Sequence, residues 1–98
     1  MFFDEISSKK LKSIMNNSIN LIDVRDNYSY SLGTIDNSIN IPANLLLSNP
    51  SSYLDKNKKY YIFCNSGNTS FKVCNYLSRL NYDVVNIVDG YQGYRDSI

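Results

Sequence analysis

Apolar positions along the chain fall into short blocks of two periods. Runs of four to six residues with strand character are "FDEI" (3–6), "NLIDV" (20–24), "SINI" (38–41), "YYIFC" (60–64) and "DVVNIV" (83–88). "YYIFC" is apolar at consecutive positions, as a central strand covered on both faces should be. Between these runs the spacing is helical. Ser7 or Ser8 can cap a helix that carries Leu11, Ile14 and Met15 inward at i, i+3, i+4. "RDNYSYSLG" (25–33) reads as one or two helical turns closed by Gly33. "ANLLLSNPSSYL" (43–54) predicts a short helix, a turn at Asn49-Pro50 and a second helix. "TSFKVCNYLSRL" (69–80) places Val73, Leu77 and Leu80 on one helical face, and "GYQGYRDSI" (90–98) is a weak terminal helix. Short buried strands alternating with helices predict an α/β fold on a mainly parallel sheet. No linker, repeat or low-complexity tract divides residues 1–98, so one domain is expected.

Composition narrows the chemistry. The chain is 43% hydrophobic and 19% charged, and ten basic residues face nine acidic ones. A net charge of +1 creates no field to gather nucleic acid or anionic lipid, so neither is expected as a partner. The lysine clusters Lys9-Lys10-Lys12 and Lys56-Lys58-Lys59 read as solvated faces. "MFFDEISS" lacks the basic and apolar stretches of a signal peptide, and no run is long enough to cross a bilayer. A cytoplasmic, monomeric protein with free thiols is the expectation. The absence of histidine excludes Ser-His-Asp and Cys-His sites. With only two cysteines, no metal site is expected either.

Parallel α/β sheets carry their sites on loops after the carboxyl ends of strands, and Cys64 ends the central run there. A cysteine is a nucleophile only as the thiolate. The loop "NSGNT" after Cys64 can turn its N–H groups toward the sulfur, with Gly67 free to adopt positive φ. Asn68 or Thr69 can cap the next helix, whose positive end then faces the thiolate and stabilises it by up to about 2 kcal/mol. Cys74 lies beside Val73 and Leu77 and reads as a core residue. It stands about 7.5 Å along the helix axis from Thr69, which strains a disulfide to Cys64. The loop also excludes rivals. A cysteine phosphatase needs an arginine where Ser70 stands, thioredoxin-type chemistry needs C-x-x-C, and no G-K-[ST] of a P-loop follows the glycine.

Three segments in order resemble the single-domain rhodaneses. These are "LIDVRDNYSYSLGTIDNSINIP", with Asp23, Val24, Arg25, Tyr30, Gly33 and Asn40 to Pro42; "YIFCNSGNTS"; and "VVNIVDGYQGY", with Gly90, Gly93 and Tyr94. The resemblance implies a rhodanese-like α/β fold, a five-stranded sheet in order 1-5-4-2-3 with helices on both faces. Asp23-Val24-Arg25 and Cys64 would then meet at the switch point between the second and fourth strands. It further implies sulfurtransferase chemistry without a cofactor. Cys64 takes a sulfane sulfur from a persulfide or thiosulfate donor and passes it to an acceptor: cyanide, a small thiol or a protein. Asn65, Ser66, Gly67, Asn68, Thr69 and Ser70 would form the substrate and persulfide loop, and an Asp23–Arg25 ion pair would support it. The six residues Cys64 to Thr69 match the sulfur-handling loop length, one shorter than in phosphatase-like members. The family's usual loop arginines are replaced by Asn65 and Thr69, its His by Thr34 and a Glu by Ser29. Weak thiosulfate activity is the expectation. The alternative is a non-catalytic rhodanese-like module that binds a partner or senses oxidants through Cys64.

Overall fold

The computed structural model describes residues 2–97. Met1 at the start and Ile98 at the far end of the expected terminal helix lie outside them. Five strands and their connecting helices alternate: β1 (Asp4–Ile6), α1 (Ser8–Ile14), β2 (Asn20–Asp23), α2 (Asn27–Leu32), β3 (Ile39–Asn40), α3 (Ala43–Ser48), β4 (Lys59–Phe63), α4 (Asn68–Arg79), β5 (Asp83–Ile87) and α5 (Gly90–Asp96). The strand order is β1-β5-β4-β2-β3, and every pairing is parallel. Only one 3-10 turn, Pro50–Ser52, forms where a second helix after α3 was expected, because Pro50 starts it and the chain leaves at Tyr53.

Side-chain alternation divides the core between the two faces of the sheet. Ile22, Val24, Tyr60, Ile62, Cys64 and Val84 point to one face, against Leu46 of α3 and Val73, Cys74 and Leu77 of α4. Leu21, Phe63 and Ile87 point to the other, with Leu11 of α1 and the half-buried Tyr91 and Tyr94 of α5. The inward face of α4 is Ser70, Val73, Cys74, Leu77 and Ser78. Leu80, expected on that face, is exposed. The helix ends at Arg79, and Leu80 has left helical geometry (φ −92°, ψ 10°), so the 3.6-residue period no longer places it.

The same ordering brings the two chemistry-bearing segments together. The Val24 N–H donates to the Phe63 carbonyl (3.0 Å), extending the β2–β4 pairing to the ends of both strands. Cys64 is the next residue after Phe63, so it emerges beside Val24 and Arg25 at the crevice where the chain's crossovers change direction.

Candidate active site

Cys64 closes the inward series Tyr60, Ile62, Cys64, and this alternation makes it buried at 5% exposure rather than part of an exposed loop. Asn65, Ser66, Asn68 and Thr69 around it are exposed, while Gly67 and Ser70 are buried. Gly67 takes φ +95° and ends the loop as the N-cap of α4. A Cβ there would fall on the Val88 carbonyl, so the position demands glycine on two counts.

Neither Asn68 nor Thr69 caps α4, contrary to expectation: the helix already begins at Asn68, and no side chain of the N-cap residue bonds to it. The Cys64 sulfur fills that role. Its Sγ accepts from the Gly67 N–H (3.2 Å), the Ser70 N–H (3.3 Å) and the Ser70 hydroxyl (3.3 Å). Ser70 is the third residue of the helix, where a capping side chain ordinarily takes the free N–H. Burial pushes the Cys64 thiol up, but the Ser70 hydroxyl and N–H, with the Gly67 and Ser66 N–H groups, outweigh burial and hold it below its ordinary value. Cys74 has no such donors. Burial, with the nearby charges of Glu5 and Cys64, pushes its thiol up to about 12. Both cysteines are free thiols.

The loop is clamped from behind. The Tyr91 and Gln92 N–H groups donate to the Cys64 and Asn65 carbonyls, each at 2.9 Å. Gly90, at φ +57°, permits this approach because a Cβ would strike the Cys64 carbonyl. Asn86, 1% exposed, donates to Glu5 (2.8 Å) and toward the Gly67 carbonyl (3.4 Å).

Asp23 and Arg25 form an ion pair at 2.7 Å, with the carboxylate fully buried. The Arg25 guanidinium also donates to the Gly33 carbonyl (2.6 Å) and stacks on the Tyr91 ring. Asp23 further accepts from the Arg25 N–H (2.9 Å) and the Thr34 hydroxyl (2.8 Å). The pair therefore braces the Gly33 turn, and its guanidinium stacks on Tyr91, whose N–H holds the Cys64 carbonyl.

In front of Cys64 lies an open cavity of about 550 Å³ lined by Val24, Arg25, Asp26, Ser29, Cys64, Asn65, Ser66 and Thr69. Asp26 caps α2 through the Ser29 N–H (2.7 Å), and that hydrogen bond leads the effects that lower its pKa, so it stays ionised at the cavity mouth. The Asp26, Tyr91 and Gln92 contributions escaped the sequence reading. Asp26 carried a signal, the Asp-x-x-Ser spacing of an N-cap, whereas the two backbone donors of α5 carried none.

A parallel α/β sheet in this strand order, with a cysteine cradled by a strand–helix turn at its switch point, is a rhodanese-like architecture. The chain belongs to the rhodanese-like domain family, whose model matches residues 7–97. It is 33% identical over 92 residues to YtwF of Bacillus subtilis, named as a candidate sulfurtransferase, covering 92% of this chain and 88% of that protein. A crystallised rhodanese-like domain protein from Staphylococcus aureus superposes with a TM-score of 0.85 at 32% identity, covering 94% of this chain and 91% of that one. The adenylyltransferase and sulfurtransferase uba4 of Ogataea parapolymorpha is 34% identical over 71 residues, 71% of this chain but only 18% of that larger protein.

Proposed function

We propose that this protein transfers a sulfane sulfur through a persulfide on Cys64 to a thiol or cyanide acceptor, with weak activity toward thiosulfate. The observation that carries the proposal is the convergence of three donors on the Cys64 sulfur. They favour the anion without a histidine or a metal. In the first half-reaction the Cys64 thiolate attacks the outer sulfur of a donor R–S–SH. The donor's S–S bond breaks, R–S⁻ leaves, and Cys64–S–SH remains. In the second, an acceptor thiolate takes that outer sulfur and returns Cys64 as the thiolate. The same N–H groups hold negative charge on the loop throughout, a fixed-donor role that needs no reorganisation. Asn65, Ser66, Asn68 and Thr69 form the exposed part of the loop, Gly67 and Ser70 supply donors, and Asp23 and Arg25 fix the neighbouring turn.

Intact mass after incubation with a low-molecular-weight persulfide, and separately with thiosulfate, tests this reading. One added sulfur on Cys64, none on Cys74, and none in Cys64→Ser are expected. Sulfur mapped to Cys74, or no adduct with any donor, sinks it. A second reading, a binding or oxidant-sensing module, is favoured by the uncharged Asn65 and Thr69 and by the engagement of Arg25 with Asp23. Oxidation of Cys64 by peroxide without any sulfur adduct would select that reading.

A further inference from the structure

The cavity in front of Cys64 does not end at the loop. A second cavity of about 230 Å³ adjoins it, sharing Arg25, Ser29 and Asn65 and adding Leu32, Gly33, Tyr91 and Arg95. Helix α5 sets its direction. Tyr91 is bonded by its N–H to the Cys64 carbonyl, and Arg95 follows it by one helical turn on the same face, about 6 Å further along. Both guanidinium groups lie over the Tyr91 ring, Arg25 at 4.5 Å and Arg95 at 5.6 Å from its centroid.

The two arginines differ in what they offer a ligand. Arg25 is held by Asp23 at 2.7 Å with its guanidinium also on the Gly33 carbonyl. Arg95, besides lying over Tyr91, pairs with Asp96 at 3.6 Å, with both side chains more than half exposed. Of the two cations that line the cavities, Arg95 is therefore the one whose carboxylate contact is the longer and the more exposed to solvent. Leu32, 71% exposed, supplies an apolar part of the second cavity's lining. At the near end Asp26 places negative charge at the mouth.

We propose that this second cavity is a subsite for the tail of an elongated thiol or persulfide: an aliphatic or amide body over Leu32 and Tyr91, ending in a carboxylate on Arg95. A small dianion held in the first cavity has Asp26 in its lining and not Arg95, which lines only the second. The proposal rests on the sulfur-transfer reading for its biological meaning. Its test does not, because it uses an exchange that requires only the Cys64 thiolate. That thiolate attacks one sulfur of a symmetric disulfide RS–SR, the S–S bond breaks, Cys64–S–S–R forms and RS⁻ leaves.

The rate of this exchange is measured with the disulfides of 6-mercaptohexanoic acid and 6-mercaptohexanol, and with the two-carbon pair mercaptoacetic acid and mercaptoethanol. Exposed ion pairs contribute at most about 1 kcal/mol, so the six-carbon acid should react about two- to fivefold faster than its alcohol. The two-carbon acid should show no such advantage. Arg95→Gln should bring the acid-to-alcohol rate ratio of the six-carbon pair, measured within the variant, to that of the two-carbon pair, and high salt should reduce the preference in the wild type. No preference for the long acid, or a preference that survives Arg95→Gln, overturns the subsite. Failure of Cys64 to form a persulfide would overturn the transfer reading and leave this result standing.

Discussion

At the scale of single residues, the Cys64 sulfur is both the reactive atom and the cap of α4, so its ionisation and the start of the helix depend on each other. Ser70 supplies two of the three donors. Ser70→Ala should shift the pH dependence of Cys64 alkylation upward and slow the reaction at pH 7, read by iodoacetamide labelling across pH. In the wild type Cys64 should label at lower pH than a free cysteine, whereas Cys74, buried and held up to about 12, should label only after unfolding. The two thiols also have opposite effects on stability. A lowered folded value makes Cys64 stabilising above its unfolded value of about 8.5, an increment lost as pH falls through the folded value. A raised value makes the neutral Cys74 thiol cost nothing below about 8.5 and increasingly oppose folding as pH climbs toward about 12. Hence Cys74→Val should gain on the wild type by roughly 3 kcal/mol at pH 10.5 in urea titrations, and not at pH 7. The sequence marked Cys64 by its place after an apolar run, but not its burial. That follows from strand alternation continuing one residue past the strand, which the loop composition hides.

At the scale of elements, the unit that matters is β4, the loop 64–67 and α4. Gly67 is its hinge point, with positive φ and the Val88 carbonyl pressed against its Cα. Gly67→Ala should destabilise the protein by at least about 2 kcal/mol in chemical denaturation and should slow Cys64 alkylation, because the displaced N–H no longer meets the sulfur. Unchanged labelling with lowered stability would separate the cap from the chemistry. Strand and helix order was legible throughout, since a switch between periods of two and 3.6 survives at short range. Ends were less so. The stop of α4 before Leu80 and the shrinking of the second helix after α3 into a 3-10 turn depend on local geometry at Asn81, with φ +71°, and at Pro50.

At the scale of the whole molecule, strand order is a long-range property that no local period encodes. It became legible through three family segments, and the β1-β5-β4-β2-β3 sheet agrees with it. The Asp23–Arg25 ion pair was legible, but the further partners of the guanidinium at Gly33 and Tyr91 were not, because they come from other parts of the chain. Electrostatics at this scale bears on the donor. Neither loop position that commonly carries a cation in the family does so here, and Asp26 stands at the mouth. Two charge-assisted hydrogen bonds at about 1.5 kcal/mol each correspond to roughly a hundredfold in kcat/KM. Wild-type thiosulfate:cyanide activity should therefore be poor. Asn65→Arg with Thr69→Arg should raise it by up to about that factor, with the gain falling as salt is added. A double variant no better than the wild type would show that the missing cations do not limit the reaction.

The position of β5 between β1 and β4 has a consequence for how the chain reaches this state. Glu5 on β1 waits for Asn86 on β5, 81 positions later, and Ser8 waits for Asp89. The Cys64 cradle is closed from behind by Tyr91 and Gln92, near the end of the described chain. During synthesis, then, a nascent polypeptide stalled before residue 83 lacks the strand that joins β1 to β4, β2 and β3. It should remain open to protease, and its Cys64 should label like an unstructured thiol. Protection should arrive together for sheet and cradle once α5 has emerged, so that the reactive sulfur is assembled last.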